Sequence, residues 1–270
     1  MKTKTFPLTL LAWACASAAM AQTLPTGGTV RQGSGTISST DSGLVIRQTT
    51  DKLVLDWNTF SIGSGGSVRF DQPGSGSVAL NRVIGGNPSQ IAGTLSANGH
   101  VYLQNAAGVF FTQGARVDVG GLVATSLDID PLHLEPGQLR LSGDSNRGAV
   151  VNHGSLNTSQ GGIVVLAAPK VDNSGSITTP GGSTVLAAGT SVKIDPSASG
   201  LLTVSVPVGA IGARLSTSGS IVADGGSVSL QAAALDASRD TVMQVGGVVR
   251  ARSVRQDGGT IGTIVLDGGS

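Results

Sequence analysis

One returning phrase constrains the fold of this chain more than anything else in it: GSLNTSQGGIVVLAA from Gly154, GSITTPGGSTVLAA from Gly175 and GSIVADGGSVSLQAA from Gly219. The first two starts are 21 residues apart and the next pair 44, which reads as two turns of 22. Such a period is too long for a hairpin and suits one coil of a solenoid, where each coil buries its apolar edge only against its neighbours. An older-looking copy, GTLSANGHVYLQNAA, begins at Gly93. Val, Ile and Leu recur in short alternating runs separated by Gly, Asn, Asp and Ser, the pattern of strands joined by tight turns. The expected fold is all-β, a right-handed parallel β-helix with an amino-terminal β cap and extra-helical hairpins. At one strand spacing of ~4.8 Å per coil, roughly 250 mature residues would make about eleven coils, a rod on the order of 50 Å. An antiparallel sandwich also places strands at ~10-residue spacing, but it leaves the recurrence at 21 or 22 unexplained.

Gln22 to about Thr59 holds the alternating segments LVIRQTT and KLVLDWNTF, which read as the strands that close the first coil. Without such a cap that coil would offer an unpaired edge. The repeat breaks twice. Asp128 to Asn152, with two prolines and several charges, reads as a loop or short hairpin leaving the coil. IDPSASGLLTVSVPVGAIGARL is apolar and β-branched and reads as extra strands. The last phrase stops at TIVLDGGS with no polar cap, so a continuation beyond residue 270 is expected.

Met1 to Ala21 has the layout of a secretory signal peptide: Lys2 and Lys4, an apolar centre from Leu8 to Ala19, and an Ala19-Met20-Ala21 cleavage site that leaves Gln22 first in the mature chain. Bulky Trp13 two residues before Cys15 fits a lipoprotein site poorly. Removing the leader removes the only cysteine, so no disulfide framework is available to the exported protein. Formal charge is +1, and −1 without Lys2 and Lys4, with no basic stripe for nucleic acid or anionic lipid.

Five strings stand in one order: LPTGG at Leu24, DWNTFSIG at Asp56, VRFDQP at Val68, SVALNRVIGGNPSQIAGTLSANGHVYLQNAAGVFF from Ser77, and GARVDVGGLVATSLDI from Gly114. From Leu24 to Ile129 the chain resembles the amino-terminal secretion domain of two-partner secretion exoproteins, the group that includes filamentous haemagglutinin. The resemblance implies a capped β-helix exported to the periplasm of a Gram-negative bacterium. There the periplasmic domains of a dedicated outer-membrane β-barrel transporter recognise it and pass it to the surface or medium. It divides the chain into a signal peptide at 1–21, the secretion domain at 22–130 and continuing β-helix repeats at 131–270. It also implies an adhesin-like exoprotein with host glycans or proteins as ligands. Where the family often has Asn-Pro-Asn-Leu, this chain has Asn87-Pro88-Ser89-Gln90-Ile91. Where the family has Asn-Pro-Asn-Gly-Ile, this chain has Asn105-Ala106-Ala107-Gly108-Val109. Asn87, Pro88, Asn105 and Gly108 are therefore the candidate recognition residues, with turn formation as their competing role.

Conventional chemistry is thinly represented. His100, His133 and His153 lie far apart without ligand-spaced partners, and His100 and His153 are expected at solvent-facing corners. Asp128 and Asp130 would share one side of a strand, as in β-helical carbohydrate-active enzymes, but Pro131 argues for a strand exit there. Gly63 to Gly66 lacks the following helix of a phosphate loop and reads as a corner. Trp57, Phe60, Tyr102, Phe110 and Phe111 are expected at the cap and in the bore rather than as a sugar cradle. No enzyme, cofactor or metal is expected. A carbohydrate-active enzyme and a passive structural surface protein are the alternative functions.

Overall fold

The structure is a computed structural model that describes residues 23–196, 202–234, 242–252 and 263–269. The leader and the Ala21–Gln22 junction lie outside the described residues. No helix occurs among the described residues. Alternation sets the strands: in Ser67–Asp71, Val68 and Phe70 are buried while Arg69 between them is exposed.

The strands stack into a parallel β-helix with three faces. A broad face runs through Thr29–Gln32, Lys52–Trp57, Val78–Val83, His100–Asn105, Gly121–Thr125, Ile163–Ala168, Ser183–Ala188, Ser227–Ala233 and Thr263–Gly269. A polar face begins with Gly35–Ser39 and Gly43–Gln48 and continues from Ser67–Asp71 to Val248–Arg250. A narrow face comprises Ser89–Ile91, Val109–Phe111, Val150–Asn152, Lys170–Asn173, Arg214–Thr217 and Met243–Val245. The first strand of each nine-stranded face is antiparallel to the next, Thr29–Gln32 on Lys52–Trp57 and Gly35–Ser39 on Gly43–Gln48, and these two form the expected cap. The first glycine of each phrase has a packing reason. A Cβ on Gly175 would lie 2.2 Å from the Gly154 carbonyl oxygen, and one on Gly219 would lie 2.0 Å from that of Gly175.

Those contacts correct the expected period. Gly175 and Gly219 sit in adjacent coils, and Ser183–Ala188 pairs directly with Ser227–Ala233, so the 44-residue interval is one coil plus an excursion. Among the described residues the broad face accordingly has nine strands, eight of them parallel, in place of about eleven coils. The missing length went into the cap and two departures from the helix. Asp128–Ile129 with Leu139–Ser142 forms the first departure, and Ser191–Pro196 with Leu202–Val208 the second. Leu139–Ser142 and Ser191–Pro196 pair antiparallel, with Arg140 Nη2 2.6 Å from Asp195 Oδ1, so both hairpins join in one four-stranded sheet.

This second layer covers the outer side of the broad face. Leu139, Leu141, Val192 and Ile194 pack in one buried cluster with Val123, Val165 and Val185. The bore cluster takes the alternate residues, among them Leu122, Val164, Leu166 and Leu186. Fully burying each such side chain stabilises the fold by about 1.5–3 kcal/mol. Tyr102 also belongs to the outer cluster, correcting its expected place in the bore, whereas Trp57, Phe60 and Phe111 do line the bore. His100 is only 8% exposed, against the expected solvent-facing corner, because it begins a central strand with a strand on either side.

Candidate functional site

The four candidate residues converge at one corner of the helix near the cap. Asn87 and Pro88 follow the broad-face strand Val78–Val83 and lead into Ser89–Ile91, while Asn105 closes His100–Asn105 one coil further on. Asn105 Nδ2 donates to the Asn87 carbonyl oxygen and to Ser89 Oγ, both at 3.0 Å, and Asn105 Oδ1 accepts from Ala107 N at 3.0 Å. Gly108 N donates to the Asn105 carbonyl oxygen at 2.8 Å, and Ser89 N donates to that of Gly108 at 3.0 Å. Gly108 has φ +111°, and a Cβ there would lie 2.7 Å from the Ala149 carbonyl oxygen. Two motifs 18 residues apart are thus one hydrogen-bonded unit.

Burial divides its members. Asn105 and Gly108 are buried, so their polar groups are consumed in shaping the turn. Asn87 and Pro88 are exposed, beside Ile84 at 63% exposure. They line an open groove of about 390 Å³ with Thr23, Ser61, Ile62 and Gln90. Backbone bonds define its walls: Gly63 N donates to the Thr23 carbonyl oxygen at 2.7 Å, and Ile62 N to that of Gln90 at 2.9 Å.

Polar and aromatic contacts, partly buried at Asp56 and buried at Trp57, fix the cap onto the first coils. Asp56 receives Arg31 Nε at 2.7 Å and Arg82 Nε at 2.8 Å, tying three consecutive strands of the broad face. Trp57 Nε1 donates to Asn81 Oδ1 at 2.9 Å, and the Trp57 and Phe60 rings meet edge to face at 5.4 Å. The strings DWNTF and SVALNRV therefore include the residues that lock the cap onto the first coils.

The other sequence candidates disperse. Asp128 lies 2.5 Å from Arg147 Nη2, and the strand ends at Ile129, before Asp130 and Pro131. Asp130 accepts from Leu132 N and meets His133 Nδ1 at 2.9 Å, interactions that hold its carboxyl below the ordinary carboxylate value. His153 is exposed and meets Ser174 Oγ. Gly66 N closes the Gly63–Gly66 corner on the Gly63 carbonyl oxygen, as expected. Among the described residues no three His, Cys, Asp or Glu side chains converge on a metal position. Ile84 was not singled out by sequence. Strict alternation in Val109-Phe110-Phe111 points Phe110 outward between two bore residues, correcting its expected place at the cap or in the bore.

Comparison with known proteins assigns this geometry. A family model described as the TPS secretion domain matches residues 21–269. The chain belongs to that family. The secretion domain of HMW1 from Haemophilus influenzae is similar in structure, with TM-score 0.75 and 26% identity over 90% of this chain and 65% of that one. Two Haemophilus influenzae proteins named heme/hemopexin-binding protein are similar in sequence: one is 39% identical over 175 residues, the other 47% over 119. Those stretches cover 60% and 43% of this chain but 19% and 13% of the relatives, so the matched segments span about a fifth of the relatives' length or less. TPS domains direct exoproteins to a cognate outer-membrane transporter, and the family is a secretion-domain family rather than an enzyme family. Such exoproteins are secreted or surface-exposed in Gram-negative bacteria.

Proposed function

We propose that the exposed Asn87-Pro88 turn and its groove are read by the periplasmic domains of the transporter, while Asn105 and Gly108 hold that turn in shape from beneath. The observation carrying this reading is the division of one hydrogen-bonded corner into a buried pair and an exposed pair. This corner lies in the 22–130 segment, and the repeats of 131–270 continue the rod. Co-expression with and without the transporter, following the mature chain in periplasm and medium by blot, tests the route. Transporter-dependent release supports it, and equal release without transporter sinks it. In the same assay, Asn87→Ala/Pro88→Ala should cut release severalfold while leaving the melting curve unchanged. Release of this variant at the parental level would move recognition elsewhere.

The cargo we infer is an adhesin-like exoprotein that engages host glycans or proteins. A second reading, binding of heme or hemopexin, is favoured by the names of the two sequence relatives. Pull-down of hemopexin by the full-length exoprotein separates the two.

A further inference from the structure

Among the described aromatic residues, Trp57, Phe60, Phe70, Tyr102 and Phe111 are at most 1% exposed; Phe110 alone is only partly buried. It stands on the outer side of the narrow face, in register with exposed Gln90 on one neighbouring strand and partly buried Val151 on the other. Further along that face, exposed Lys170 and Arg214 are directly opposed in parallel register. Like charges so placed destabilise a sheet, and neither side chain forms an ion pair with a described residue. Asp172, two residues along from Lys170, stands in the row of Phe110 and Val151 and offers a single carboxylate to two cations. With Ala149, Val171 and Ser216, the two cations and Asp172 line a recess of about 160 Å³.

A partly buried aromatic and, two and three strands further along the same face, two cations without an ion pair to a described residue supply residue types enriched at interfaces, Phe and Arg among them. We propose that the outer side of the narrow face, from Phe110 to Arg214, is a second contact surface for the transporter, fitting a periplasmic segment that presents an apolar side chain flanked by carboxylates. This rests on the transporter reading above. It extends the contact from the Asn87-Pro88 corner, one strand away through Gln90, along the narrow face. Charge complementarity selects an acidic partner segment, and the recess supplies the socket for its apolar side chain.

The test is titration of the mature chain with full-length transporter in detergent, at low and high salt. Phe110 also packs over the Gly108 turn, where a Cβ would lie 3.1 Å from its ring. Phe110→Leu, which keeps that turn covered, is therefore compared with Phe110→Ser. Both should melt close to the parent, and Phe110→Ser should bind about thirtyfold more weakly, the size of an interface hot spot. Lys170→Glu/Arg214→Glu should bind more weakly at low salt and lose the parental salt dependence. Arg116→Glu, on the polar face, should bind like the parent. Parental affinity in both Phe110 variants and in the charge reversal, with Asn87→Ala/Pro88→Ala still impaired, would overturn the second surface and leave the corner reading standing. Failure of the parent to bind the transporter would remove both. Dispersal of a self-associated parent by Phe110→Leu would assign the face to a second copy and overturn the proposal.

Discussion

Asn105 makes three side-chain hydrogen bonds from a fully buried position, so Asn105→Ala removes a partner from the part-buried Asn87 carbonyl and Ala107 amide and strands the buried Ser89 Oγ. The expected cost is about 2 kcal/mol in urea unfolding. Gly108→Ala should cost more than about 1 kcal/mol, because its φ of +111° disfavours a side chain and the Ala149 carbonyl oxygen occupies the space. An unchanged urea midpoint in either variant would contradict the structural role given to this pair. His100 supplies a pH dependence. Desolvation lowers its pKa from the ordinary 6.5, and its Nδ1 has no hydrogen-bond partner, so the fold favours the neutral ring. The unfolded chain then binds the extra proton first. Stability from this residue is complete above about pH 6.5 and is lost as pH falls from there towards the lowered folded value. Urea midpoints at pH 5 and pH 7.5 should differ, and His100→Gln should reduce the difference.

At the scale of the element, Ile163–Ala168 pairs parallel on both sides and is buried on both faces. Val165 faces the second layer, while Val164 and Leu166 face the bore. Val165→Pro should still break the rod there, since proline removes a ladder donor from a central strand. Transporter-dependent release should fall with it, and normal release of a chain with a disordered rod would count against coil-by-coil folding as the event that sustains export. The strands themselves were legible because alternation and glycine corners are local signals, readable in VRFD or in the Gly154, Gly175 and Gly219 starts. The partnership of the two departures was not legible. Leu141 and Val192 are 51 residues apart, and nothing in either segment names the other as its antiparallel neighbour. The convergence of Asn87 with Asn105 was hidden for the same reason: registry between coils is a property of the stack, not of the phrase.

At the scale of the molecule, each coil is stabilised mainly by its neighbours, so a chain delivered from its amino end would gain stability one coil at a time on the cap held by Arg31, Asp56 and Arg82. Asp56→Ala leaves two arginines facing each other across the first coils. It should slow the appearance of protease-resistant chain at the surface more than a charge change on an exposed loop does, as pulse-chase with added protease would show. The second layer adds a rule about length. The hairpins depart after Gly121–Thr125 and after Ser183–Ala188, two steps apart on the broad face, and their partners Asp128–Ile129 and Ser191–Pro196 are likewise two steps apart in the four-stranded sheet. One intervening strand above matches one intervening strand below. A duplicated or deleted coil is therefore admissible beyond Ser227–Ala233, where the described residues add no further strand to the layer, but between the two departures it would leave the upper sheet one strand short or one too long. Drift in the length of this rod among its descendants should be confined by that vernier.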